Sequence, residues 1–276
     1  MNHLDYNLAP EDYHANGALS NSMLSRLKKS PAHLKHYLEN PEPPTRPMIT
    51  GTITHSCVLE PDVFEVTYVR GPEGNRSTKA VKALITELEE EGYHRECILT
   101  PAAYDQCIGI RDAIYHHPIA SQLLLPGYGV TTEVSMFWET AGVQCRGRAD
   151  ALPPEDGKYP HVIADLKTCV SAEESDFSRA AYNFGYYRQS SFYLNGFACI
   201  EDIPMPTRTD FIIVAIEKTA PYACQVFMLD DDALDLGYHE VGSLLNIYKQ
   251  CQDSDEWGAY PQEVMSLALP GYAYTL

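Results

Sequence analysis

The chain has 276 residues, 45% of them hydrophobic and 21% charged, the balance of a globular protein with room for a substantial core. A formal net charge of −18 argues against a protein that coats nucleic acid with a uniformly basic surface. No run of about 18 apolar residues exists and the first residues lack the basic-then-apolar order of a secretory signal, so no membrane association is expected and a cytoplasmic setting is.

The eight cysteines form no Cys-x-x-Cys pair, which speaks against a zinc site or an iron–sulfur cluster, and in apolar runs they read as buried free thiols. Charge is unevenly placed. Acids concentrate at Glu87–Glu91, Asp230–Asp232 and Asp253–Glu256; bases concentrate at Arg26–Lys35, Arg70–Lys82 and Arg146–Arg148. That distribution allows a local positive track on an acidic body.

In chain order, Ser20-Asn21-Ser22 caps a first helix carrying Met23, Leu24 and Leu27, and Ser30-Pro31 starts a second through Leu38. The proline-rich stretch 40–47 reads as a loop, 49–59 as a helix, 63–70 as a strand and 71–75 as a loop. Helix periodicity covers 78–91 and 101–125, with Pro118 as a break. A strand at 130–139 turns at Gly142 into a second at 143–152, and a third carries 161–167. Ser171-Ala172-Glu173-Glu174 matches a capping box, and 186–200 reads as a further helix. Strands at 210–217 and 223–229, a long helix at 231–251 and an irregular, aromatic arm from 253 to 276 complete the pattern. The class is α/β: a mixed central sheet flanked by helices, with a mostly helical N-terminal portion over 1–125, a core over 126–252 and one domain in all.

The chemistry concentrates in the three central strands. In Asp165-Leu166-Lys167 the pleat sends Asp165 and Lys167 to one face, and Asp150 ends the neighbouring strand. Two carboxylates and an ammonium would then converge, as a hard divalent cation and a phosphodiester require. Asp150 alone could simply end a strand in a turn, and Asp-x-Lys alone could be a surface ion pair. The apolar run Val162-Ile163-Ala164 leading into Asp165 marks a buried strand, where an unpartnered carboxylate would be costly. Glu133 reads two ways, as a solvent-facing strand residue or as a third acid opposite Asp150. His55, one turn after Gly51, reads as a structural histidine or as a ligand beside a small residue. Gln189 and Tyr193 share a helix face and offer an amide and a phenol to phosphate or base edges; the plain alternative is two amphipathic surface residues.

Taken together, Gly51-x-x-x-His55, Glu133, Asp150, Asp165-Leu166-Lys167 and Gln189-x-x-x-Tyr193 occur in the order of the RecB-like nucleases of the PD-(D/E)XK superfamily. With Leu19-Ser20-Asn21-Ser22 and the proline-rich loop, nearly the whole chain resembles the C-terminal nuclease domains of the RecE exonucleases (exodeoxyribonuclease VIII). One departure is Ala149 where the pattern has proline, which removes no ligand. The resemblance implies a PD-(D/E)XK core within a longer parent protein. It implies a 5′→3′ exonuclease on double-stranded DNA ends that releases 5′-mononucleotides and leaves 3′ overhangs for a RecT-type annealing protein. A ring-shaped homotetramer is implied too, with bases lining its channel. On this reading Asp150, Asp165, His55, Glu133 and the Leu166 carbonyl hold Mg²⁺, for which Mn²⁺ substitutes; Lys167 acts in the transition state and Gln189 and Tyr193 position DNA. A catalytically silent DNA-end-binding or assembly module of the same fold is the alternative, and the intact acid–acid–lysine set argues against it.

Overall fold

The computed structural model describes residues 2–201 and 210–270. Strand β1 (His3–Asp5) and helix α1 (Pro10–Ala15) lead into α2 (Asn21–Lys29) and α3 (Pro31–Glu39). Ser20 and Ser30 cap these two helices by accepting the amides of Met23 and His33, two donors that would otherwise be orphaned. Next come α4 (Arg46–Leu59), α5 (Pro61–Thr67), β2 (Val69–Arg70), α6 (Lys79–Glu90), β3 (Ile98–Leu99), α7 (Pro101–His116) and α8 (Ala120–Leu124). The second half holds β4 (Thr131–Thr140), β5 (Val143–Leu152), β6 (Val162–Cys169), α9 (Glu174–Phe184), α10 (Tyr186–Glu201), β7 (Asp210–Glu217), β8 (Cys224–Met228) and α11 (Asp231–Ser254).

Six strands form a mixed sheet in the order β1-β4-β5-β6-β7-β8. Every neighbouring pair is antiparallel except β6–β7. That parallel pair needs a long crossover, which α9 and α10 supply. The β4–β5 hairpin turns through Ala141 and Gly142, both at positive φ (51° and 71°), the backbone that matches strand twist.

Both sheet faces are covered. On one, Trp138, Ile163 and Ile213 pack against Leu24 of α2, Phe192 of α10 and Leu245 of α11. On the other, Ala164, Leu166 and Val214 meet Val58 of α4, Ile110 of α7 and Leu123 of α8. Alternate residues of β6 serve opposite cores, which is why 162–164 is an unbroken apolar run. Each fully buried Leu or Ile here contributes about 1.5–3 kcal/mol by leaving water.

Three expectations change. The predicted strand at 63–70 is helix α5 followed by the two-residue β2. Pro61 occupies the first turn and Phe64 anchors the helix in the core, overriding the strand preference of Val63 and Val66. Helix α4 begins at Arg46, so Pro47 lies inside its first turn rather than in the loop. Helix α9 is capped by Glu173, whose carboxylate accepts the amides of Ser175 and Asp176, in place of the Ser171 capping box. The N-terminal portion, expected to be mostly helical, also supplies β1 as an edge strand of the main sheet.

Beyond α11 the tail has no helix or strand as far as residue 270. Gly258 accepts the Ala32 amide and Trp257 meets Tyr248 edge-on, while residues 261–270 are exposed. Part of the expected arm, 271–276, lies outside the described residues. The eight cysteines are free thiols, five of them buried. Among the described residues no helix is long and apolar enough to cross a membrane.

Candidate metal centre and active-site cleft

Three elements bring three donors together. His55 rides on α4, which Thr54 and Val58 anchor in the core, so the imidazole is left facing outward. Glu133 of β4 lies opposite Asp150 of β5, between the paired positions Thr132↔Ala151 and Val134↔Ala149. Its backbone is at φ 54°, an unfavourable region for a side-chain-bearing residue, and the ladder skips it. Pairing between β5 and β6 is reduced to Ala151↔Ala164. The Leu166 amide donates instead to Asp150 Oδ2 at 2.7 Å, so the two strands part where Asp150 sits. One donor atom from each of His55, Glu133 and Asp150 lies within 4.8 Å of the other two. His55 Nδ1 is 3.6 Å from Asp150 Oδ2.

Asp165 stands beside this trio rather than in it. It is 1% exposed; Oδ1 accepts from Gln189 Nε2 at 2.8 Å and Oδ2 pairs with the Lys167 ammonium. Leu166, expected to offer its carbonyl, enters the site through its N–H. Gln189, expected at the DNA, has its amide on Asp165. Tyr193 is buried, and its hydroxyl accepts the Arg148 amide at 3.4 Å. Its ring lies against Gly147, where an added Cβ would come within 2.8 Å. Gln189 and Tyr193 do share a helix face, as their spacing predicts, but that face meets the sheet rather than solvent.

The trio opens into a cleft of about 870 Å³, also lined by Glu60, Arg148 and Tyr193. Burial pushes the Glu133 carboxyl up to about 8; Asp150 and Glu60 push the same way and Arg148 opposes them. Burial also raises Asp165, to about 6, against the pull of Lys167 and with a further push from Asp150. For Lys167, burial pulls downward, but Asp165 and Asp150 outweigh it and hold the ammonium above its usual value. The donor set fits a divalent cation: two carboxylates suit Mg²⁺ or Mn²⁺, an imidazole widens the choice toward transition metals, and a central positive charge would offset the burial and repulsion that raise Glu133.

Sequence reading misses Glu60 and the contribution of α1. Glu60 is signalled by Leu59-Glu60-Pro61, a helix stop that sets a carboxylate five residues after His55. Tyr13 of α1 lies under both Arg146 and Arg148, 4.8 and 4.5 Å from ring centroid to guanidinium. Arg148 also donates to Ser135 and to the Leu8 carbonyl, and Arg146 is buried. These two arginines, candidates for a DNA track by sequence, thus contact the N-terminal segment, and Arg148 also lines the cleft.

Comparison with known proteins agrees with this architecture. The family described as a PDDEXK-like domain of unknown function (DUF3799) matches residues 20–268. A solved Eubacterium rectale protein, described as a "putative exonuclease", shares the fold with a TM-score of 0.62. That match is 14% identical and covers 98% of each chain. No curated protein matches the sequence.

Proposed function

The chain belongs to the PDDEXK-like domain family DUF3799, and from that premise we propose that it is a metal-dependent nuclease that degrades double-stranded DNA from its ends. The observation that carries the reading is the convergence of His55, Glu133 and Asp150 beside the pair of buried Asp165 with Lys167.

His55, Glu133 and Asp150 would hold the ion, which supplies Lewis-acid activation of phosphate and water. Asp165 fixes Lys167 at the edge of the site, and Gln189 fixes Asp165 in turn. Lys167 keeps its charge despite burial, so it can stabilise the negative charge that grows on phosphate oxygen in the transition state. Tyr193 and the Leu166 amide hold the β5 backbone and the Asp150 carboxylate in place.

In finer detail the proposal is a 5′→3′ exonuclease of RecE type, using Mg²⁺ or Mn²⁺. It releases 5′-mononucleotides and leaves 3′ overhangs for a RecT-type annealing partner in recombination. The resemblance carried by the sequence motifs supports that detail and a homotetrameric ring, and eight free cysteines suit the proposed cytoplasmic location. The test is digestion of linear duplex labelled at either end, with Mg²⁺, Mn²⁺ or EDTA. Metal-dependent release of the 5′ label first is expected; binding without cleavage would favour a silent end-binding module. Lys167→Ala should retain metal and DNA binding while cleavage falls about 10²–10³-fold. Wild-type cleavage by that variant removes Lys167 from the chemistry.

A further inference from the structure

The junction of α9 and α10 carries four aromatic residues within six positions: Tyr182, Phe184, Tyr186 and Tyr187. Gly185 separates the helices in the left-handed region, at φ 71°, and an added Cβ there would meet the Arg188 guanidinium at 2.7 Å. This tight elbow turns Tyr186 inward and leaves Phe184 outward, 67% exposed. The rings are ordered, not scattered. Phe184 stacks on Tyr186 at 5.9 Å and 27°. Tyr182, 65% exposed, stacks on Tyr187 at 6.0 Å and 12°. Tyr186 is braced from below by buried Phe177, and its ring lies under the Lys167 ammonium at 5.2 Å.

A continuous path thus runs from Asp165 through Lys167 and Tyr186 to the outer face of Phe184. We propose that Phe184, backed by Tyr186, is a stacking platform for the terminal, unpaired nucleobase of the strand whose phosphate reaches the cleft. Three observations select a base over other occupants. The outer face is a planar ring already aligned with a second ring, so a third planar group extends the stack. The platform is continuous with Lys167, the part-buried lysine of the proposed site. A chain of net charge −18 gains from contacts that do not depend on phosphate attraction, and base stacking tolerates every sequence because each base has a π-face. The platform also implies that the end is opened before the reaction, since a paired, stacked base presents no free face.

This inference rests on the nuclease reading, but its test does not require catalysis. Single-stranded oligonucleotides carrying 2-aminopurine at the 5′ or the 3′ terminus are titrated with the full chain in EDTA. Matched oligonucleotides are abasic at that terminus. The wild type should quench the fluorophore at one terminus. Phe184→Ala should lose the quench and bind that oligonucleotide about 5- to 100-fold more weakly. Phe184→Trp should retain both, and wild type and Phe184→Ala should bind the abasic oligonucleotide alike. Equal affinity of wild type and Phe184→Ala for the base-bearing end overturns the platform. So does an equal loss on base-bearing and abasic ends, or no binding by the wild type. A wild type that passes this test yet cuts nothing with Mg²⁺ or Mn²⁺ would sink the nuclease reading and leave the platform standing.

Discussion

Two partly buried charge clusters in this molecule make opposite use of a glutamate. In the first, Glu240 of α11 joins α2 to α10. Its oxygens accept from Lys28 at 2.8 Å, Tyr187 at 2.6 Å and Arg188 at 2.7 Å. Burial alone would raise its pKa, but these donors outweigh burial and hold it below the usual value. In the second, burial, reinforced by Asp150 and Glu60 and opposed by Arg148, raises Glu133 to about 8. The first cluster is complete as it stands and serves packing. The second is electrostatically unfinished, which is the signature of acids arranged for something the polypeptide does not itself provide.

The comparison breaks most sharply at Asp150. Asp150→Asn should lower cleavage at least about 10³-fold and abolish Mn²⁺ binding, yet leave the metal-free Tm unchanged or higher, because a repulsion is removed. Assays of cleavage and thermal melting on one preparation check both halves; a large drop in Tm would make Asp150 a structural residue. Glu240→Ala should do the reverse. It leaves Arg188, 3% exposed, without its carboxylate, and should cost about 3 kcal/mol in urea unfolding while metal binding persists.

A smaller effect is expected at the support of the site. Gln189→Ala frees buried Asp165 from its hydrogen bond and should reduce kcat by about 10–100-fold while lowering stability by about 1–3 kcal/mol. Retained kcat would confine Gln189 to packing.

The smallest effect is a difference in pH slope. Glu240 is lowered in the folded state, so its contribution is present above the unfolded value near 4.3 and is lost as pH falls toward the folded value. Glu133 is raised, so the metal-free fold holds its proton more tightly than the unfolded chain does. That contribution is full below about 4.3 and declines as pH rises toward about 8. Melting in EDTA should therefore show stability falling between pH 5 and 8, with Mn²⁺ or Glu133→Gln flattening the slope. Parallel curves with and without metal would detach Glu133 from the ion.

The three central strands were legible because alternation and apolar runs are local signals, and they carried Glu133, Asp150 and Asp165 to one neighbourhood. Capping at Ser20 and the helix break at Pro118 were equally local. What stayed hidden depends on contacts remote in sequence. The helical state of 61–67 is decided by Phe64 entering a core shared with α4 and α7. The role of Tyr13 is set by arginines more than a hundred positions away. Pattern placed Asp165 and Lys167 on one face, but only the packing of α10 shows Gln189 closing over that carboxylate. No spacing rule foretells that β5 and β6 separate at Asp150, because the divergence follows from a backbone amide choosing a side chain over a ladder partner.

The positive φ of Glu133 carries a consequence for anyone improving this protein by selection. A glycine at 133 would relax the backbone and erase a charge conflict in one stroke, so heat challenge alone rewards the variant that has discarded a donor. Robustness and chemistry pull against each other at this codon, and a screen blind to turnover will travel the wrong way.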